Sequence, residues 1–294
     1  MNRFVTARTL ALVRDLELAA RIVVDGTMLG RHTSRRAGAG LEFSQYRSYE
    51  PGDDPRRLDW KLLARSDRYF VREAEAETSV SVRLLLDATG SMAHEEDGIS
   101  KLDYARYLVA ALALLAQRQG DAVGLYVLRD GAVDPLPPRR DLPHLHRLLH
   151  QLERLTPAGG WPPWHALERA LAPGTARGIT ILVGDLYEQA DEIRGAVRRL
   201  AGARHDVTCF QVAGAAERSF AYQGAVTLED LETGARYDLD ADAARPAARI
   251  RYEDALRALR RELEERGAAL VECRLDEPFE QPLRAYLARR RRRP

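Results

Sequence analysis

The stretch Val80-Ser-Val-Arg-Leu-Leu-Leu-Asp-Ala-Thr-Gly-Ser-Met92 decides the fold. Its first half is a short apolar run of strand length. Its second half is a polar turn carrying Asp87, Thr89 and Ser91. In an open α/β sheet, ligands bind in the crevice beyond the carboxyl ends of the strands. A carboxylate and two hydroxyls at alternate positions there can all direct oxygen at one small hard cation. The turn therefore reads as a Mg2+ (or Mn2+) site whose role is to hold a partner protein.

Downstream of this stretch the pattern alternates. Leu102 to Gln117 has apolar residues at helical spacing, with Ser100 as N-cap and Gly120 as stop. Ala122 to Leu128 reads as a strand, followed by the turn Arg129-Asp130-Gly131, and Leu142 to Leu155 and Trp164 to Leu171 as helices. Ile179 to Val183 is an all-apolar strand of buried type, ended by Gly184-Asp185. Glu188 to Leu200 is helical, Val207 to Val212 a strand, and Val226 to Leu239 a hairpin around Glu232-Thr233-Gly234. Tyr252 to Arg266, Ala269 to Leu275 and Pro282 to Arg290 complete the chain as helix, strand and helix. Such alternation predicts an α/β fold, a doubly wound, mostly parallel sheet with helices on both faces.

Upstream, Leu10 to Val24 reads as a helix and Gly26 to Gly40 as an irregular basic arm. Leu41 to Arg72 is dense in charge: Arg47, Asp53, Asp54, Arg56, Asp59 and Arg65 lie beside Tyr49 and Trp60. Pro51-Gly52 suits the centre of a type II turn. The segment reads either as a salt-bridged arm packed on the main domain or as a docking surface. The expected division is residues 1–79 as helix and arm, 80–276 as the α/β domain, and 277–294 as a terminal helix with an arginine tail.

Composition excludes several classes. Of 294 residues, 45 % are apolar and 30 % charged, as in an ordinary globular protein. No apolar run reaches the roughly 20 residues that a bilayer crossing needs, and Met1-Asn2-Arg3-Phe4 is no secretory signal, which together predict the cytoplasm. The net charge of +1 includes Arg289 to Arg293, so the body is mildly acidic and unlike a general nucleic-acid binder. Cys209 and Cys273 lie in apolar runs and read as buried free thiols.

The turn Asp87-Ala88-Thr89-Gly90-Ser91 resembles the metal-ion-dependent adhesion motif of von Willebrand factor A domains, Asp-x-Ser-x-Ser, with Thr89 for the first serine. That family takes a further metal-shell residue after its fourth strand, and Asp185 matches the position. The run from Arg47 through Pro51-Gly52-Asp53-Asp54, Arg56 and Asp59-Trp60-Lys61 to Arg65 resembles domain-of-unknown-function family fifty-eight. The resemblance implies a von Willebrand factor A-like fold and an adaptor or co-chaperone acting with a MoxR-type AAA+ ATPase or its client. It also implies metal ligation by Asp87, Thr89, Ser91 and Asp185. One departure stands out: the family's Gly-Gly-Thr-Asp-like loop is Gly159-Gly160-Trp161-Pro162 here, so Trp161 replaces a threonine ligand, and Thr156 is the nearest substitute.

Two other classes remain. A metal-dependent phosphatase or hydrolase would use Asp87 as nucleophile and His94 as base. Asp-x-Thr lacks the second aspartate of a phosphotransferase motif, however, and no Ser-His-Asp, Walker A or His-Glu-x-x-His pattern occurs. His94, followed by Glu95, Glu96 and Asp97, also reads simply as a turn histidine. The third class is a structural scaffold with a dead metal site, in which Asp87 and Ser91 only cap the turn.

Overall fold

The computed structural model describes residues 15–28, 43–49, 58, 60–66, 68–74, 80–171, 178–186, 190–202 and 206–290. In chain order the elements are α1 (Leu16–Met28), β1 (Phe43–Ser48), α2 (Trp60–Ser66), β2 (Phe70–Ala74), β3 (Ser81–Asp87), β4 (Glu95–Glu96), β5 (Ile99–Ser100), α3 (Lys101–Arg118), β6 (Ala122–Arg129), β7 (Ala132–Arg139), α4 (Leu142–Glu153), α5 (Trp164–Leu171), β8 (Gly178–Gly184), α6 (Ala190–Gly202), β9 (Asp206–Ala213), α7 (Ala215–Ser219), β10 (Ala225–Glu229), β11 (Arg236–Asp240), α8 (Ala241–Glu265), β12 (Ala269–Arg274) and α9 (Glu280–Arg290). They form two compact units, Met1–Gly30 with Val80–Pro294, and Arg31–Ser79.

In the larger unit six strands lie in the order β12-β9-β8-β3-β6-β7. All neighbours are parallel except β6 and β7. Successive side chains of a strand point to opposite faces. Val82, Leu84 and Leu86 accordingly join one apolar cluster with α1, α3, α4 and α9, whereas Leu85 joins a second with α5, α6 and α8. The expected doubly wound, mostly parallel sheet with helices on both faces is the fold observed.

The sequence boundary at residue 79 grouped the first helix with the arm. In the structure α1 belongs to the larger unit, because Leu16, Ala19, Ala20, Val23 and Val24 are buried in the core it shares with α3. It continues through Gly26, where the chain was expected to become irregular. Gly26 faces Glu280 of α9, whose Oε1 would lie in ordinary contact, 3.5 Å, with an added Cβ. Helix α9 likewise buries Leu283, Tyr286 and Leu287.

Strand β7 escaped the sequence reading because it contains Pro135, Pro137 and Pro138. Proline is tolerated on an edge strand, where the missing N–H faces outward. Gly124 of β6 makes the pairing possible, since a Cβ there would lie 2.7 Å from the Leu136 carbonyl and from the Pro138 nitrogen. Helix α8 begins eleven residues before the expected Tyr252. Asp240 starts it by accepting from the Asp242 and Ala243 amides at 2.9 and 3.2 Å, and Pro246 sits near its beginning. Both cysteines are buried and free, as expected, and burial pushes the Cys209 thiol up to about 12.

In the smaller unit β1 and β2 are antiparallel, with Arg47 opposite Val71. Trp60 opens α2 with 61 % of its surface exposed, and Arg65 is exposed in its last turn. Asp53, Asp54, Arg56 and Asp59 lie outside the described residues.

Candidate functional site

Parallel register assembles the site. Leu86 of β3 lies opposite Val183 of β8, so Asp87 ends its strand beside Gly184, and Asp185 follows directly. The sheet order reverses between these two strands: β3 continues to β6 on one side, and β8 continues to β9 on the other. This is the switch point where open α/β sheets bind ligands. Gly184 is required there, since a Cβ would lie 2.6 Å from the Asp87 Cβ and 2.7 Å from its Oδ2.

The four residues expected to hold a metal are all buried: Asp87 is 2 % exposed, Thr89 1 %, Ser91 8 % and Asp185 6 %. Asp87 Oδ1 accepts from the Thr89 amide at 3.0 Å and from the Thr89 hydroxyl at 2.8 Å. The Thr89 and Ser91 hydroxyls are 3.1 Å apart. Burial, then the charge of Asp185, pushes the Asp87 carboxyl up to about 8, against the pull of the two Thr89 hydrogen bonds; Glu232 pushes it further up. A buried carboxylate beside another acid is stabilised by a cation or by a proton.

Lys101, which the sequence reading passed over, stands at the same place. Its ammonium is 3.6 Å from Asp185 Oδ2 and 2.5 Å from Glu217 Oε1, and the residue is buried in the first turn of α3. Glu217 also accepts from the Gly214 amide at 3.0 Å. His94 Nε2 lies 3.1 Å from Glu96 Oε1, and Glu96 accepts from the Ala216 amide at 3.0 Å. Burial would raise the Glu96 carboxyl, but the bonds from His94 and from the Ala216, Ala215 and Glu217 amides hold it below its usual range. His94 is thus engaged in a structural contact that ties the β4–β5 turn to α7.

Trp161 packs against the apolar cluster containing Leu85, Tyr126 and Leu128. Trp164 joins the same cluster, with the Arg199 guanidinium 4.8 Å from its ring centre. Thr156 is exposed, and its carbonyl accepts from Arg129 at 3.4 Å. The Gly159-Gly160 loop buttresses the acidic turn instead: Gly90 donates to the Gly159 carbonyl at 2.8 Å, and Ala158 donates to the Ala88 carbonyl at 2.9 Å.

The β10–β11 hairpin meets the turn from the other side. A Cβ on Gly90 would lie 2.3 Å from the Leu231 carbonyl oxygen and 3.3 Å from the Glu232 Cα. A cavity of about 670 Å³ opens beside this contact, lined by Ser91, Lys101, Asp185, Tyr222, Leu231 and Tyr252 among others. Its size falls within the range of ligand sites. The donors around Asp87 are all hard oxygens, two of them carboxylates on separate strand ends. That set fits Mg2+, which prefers oxygen ligands and keeps several waters.

No helix of the described residues is long and apolar enough to cross a membrane. The chain is similar to uncharacterized proteins of Mycobacterium bovis (Mb1516) and Mycobacterium tuberculosis (Rv1480), each 28 % identical over 289 residues, covering 96 % of this chain and 90 % of the relative. Among solved structures it is similar to BatB of Bacteroides thetaiotaomicron (15 % identity, TM-score 0.48, 72 % of this chain and 98 % of that one). It is also similar to the SpRpn10 VWA domain (10 % identity, TM-score 0.41, 70 % and 94 %). Residues 45–262 match the family described as protein of unknown function DUF58, and the chain belongs to that family.

Proposed function

We propose that this chain is a protein-binding adaptor whose acidic cleft works with a divalent cation. Asp87, Thr89, Ser91 and Asp185 would hold Mg2+ or Mn2+, directly or through water. A bound ion of this kind supplies an open coordination position for a carboxylate from a partner. The observation that carries the reading is the convergence of two buried acids, Asp87 and Asp185, where the strand order reverses. Thr89 orients Asp87 through the bonds to Oδ1. Gly184 leaves space against Oδ2.

The partner we propose is a MoxR-type AAA+ ATPase or its client, in the cytoplasm, with the chain acting as co-chaperone. That choice rests on the resemblance of the charged arm. Exposed Trp60 and Arg65 offer an aromatic anchor and a cation of the kind enriched at interfaces. The test is capture of such an ATPase by the full chain in Mg2+, in EDTA, and by Asp185→Ala in Mg2+. Capture by the wild type in Mg2+ alone supports the proposal. Equal capture in all three conditions, or none in any, overturns its metal-dependent form.

A second reading is favoured by Lys101. Its ammonium beside Asp185 supplies positive charge without any metal, which would leave an inert scaffold. A hydrolase has less support, because Asp87 is almost wholly buried and His94 is engaged by Glu96.

A further inference from the structure

The β10–β11 hairpin has two unlike faces. Its register sets Val226 opposite Leu239 and Leu228 opposite Tyr237, and strand alternation puts all four side chains on one face. The other face carries polar cross-strand pairs: the Thr227 hydroxyl donates to Asp238 Oδ1 at 2.6 Å, and Arg236 Nε donates to Glu229 Oε2 at 3.0 Å. None of the four apolar residues joins either core cluster. Leu228 and Tyr237 line the cavity of about 670 Å³ instead, and Tyr237 keeps 60 % of its surface exposed.

The cavity has fixed walls. Tyr222, from the loop after α7, and Tyr252 of α8 also line it. The Phe220 ring meets Tyr222 edge-on, with centroids 5.3 Å apart. Arg245 holds this wall by donating to the Phe220 carbonyl at 3.1 Å and to the Tyr222 carbonyl at 2.5 Å. The base of the hairpin is pinned as well: Ala241 donates to the Gly224 carbonyl at 2.8 Å, and Gly224 donates to Asp242 Oδ2 at 2.9 Å. At the tip the Leu231 carbonyl rests on Gly90. The same cavity reaches Ser91 and Asp185 of the cation turn, and exposed Arg251 and Glu229 stand among its lining residues. An apolar centre with a polar rim is the anatomy of a protein interface.

We propose that this cavity takes a large apolar side chain, aromatic or aliphatic, that flanks the partner carboxylate meeting the cation. Its apolar walls are continuous with Ser91 and Asp185, so one partner segment that reaches the cation also passes over them. The inference rests on the metal reading above and deepens it: a carboxylate alone is common to every acidic surface, and the flanking apolar side chain selects among them. Burying one such side chain strengthens binding about tenfold or more.

The experiment selects peptides from a random phage library on the full-length chain in Mg2+ and measures their affinities by fluorescence anisotropy. Two variants probe the cavity: Ala248→Phe fills it from α8, and Tyr237→Ser removes an exposed part of its wall. The selected peptides are expected to pair an acid with a large apolar residue and to bind both variants about tenfold more weakly. Melting temperature and Mn2+ affinity of Tyr237→Ser are expected to match wild type, which separates the effect from misfolding. Selected acidic peptides that bind both variants as tightly as wild type overturn the role of the cavity and leave the cation site standing. No enrichment, or equal binding in EDTA, overturns the metal reading itself and this inference with it.

Discussion

The Lys101 ammonium lies 3.6 Å from the Asp185 carboxylate, and both side chains are buried. The lysine comes from the first turn of α3 and the aspartate from the end of β8, so their meeting ties two strand-to-helix crossovers together. Removing one partner of such a pair leaves an uncompensated charge. Lys101→Met is expected to destabilise the metal-free protein by about 3 kcal/mol, read as a lower urea midpoint in EDTA. Mg2+ is expected to recover part of that loss in the variant, because a cation then balances Asp185.

Asp87 sets a pH dependence of definite sign. Its carboxyl is raised in the folded state from 3.8 to about 8. The folded protein therefore holds a proton that the unfolded chain has already lost, and stability declines as pH rises between those values. The contribution is fully present below about pH 4 and is gone above about pH 8. The slope for one such proton is about 1.4 kcal/mol per pH unit. Urea unfolding of metal-free wild type between pH 5 and 8 is expected to show this decline, and Asp87→Asn to flatten it.

Gly184→Ala probes the contact between the two strand ends. The added methyl would press on a buried side chain at 2.6 Å, the Asp87 Cβ, rather than on a flexible tip. Overpacking of this kind costs about 1–3 kcal/mol. The variant is expected to melt at lower temperature and to lose Mn2+ affinity, since Asp87 must shift. A variant that melts lower yet binds Mn2+ normally would separate the fold from the site.

The core makes a plainer demand. Leu84 and Leu108 are fully buried between the sheet and α3. Truncating either to alanine is expected to cost about 3 kcal/mol in chemical denaturation. Leu18, half exposed on α1, is the control, and Leu18→Ala is expected to stay within about 0.5 kcal/mol.

Much of this architecture is legible in local sequence. Val80 to Leu86 and Ile179 to Val183 are apolar runs that only a doubly covered sheet can bury, and they are β3 and β8. Ser100 caps α3 as its position promised, accepting from the Asp103 amide at 3.0 Å. The elements that escaped carry residues whose local preference runs against their final state. The prolines of β7 mask an edge strand, and Gly26 and Pro246 mask helical continuity that neighbouring packing supports.

The alternation of apolar strands and amphipathic helices, read without any coordinates, determined the doubly wound sheet and put Asp87 and Asp185 at strand ends. That follows because side-chain periodicity and strand termini are properties of a few adjacent residues. Tertiary structure alone decided that Trp161 turns into an apolar cluster, that Lys101 reaches Asp185, and that the Glu232 hairpin lies on Gly90. The last two contacts join segments 84 and 142 positions apart, and no local preference encodes which of them will meet.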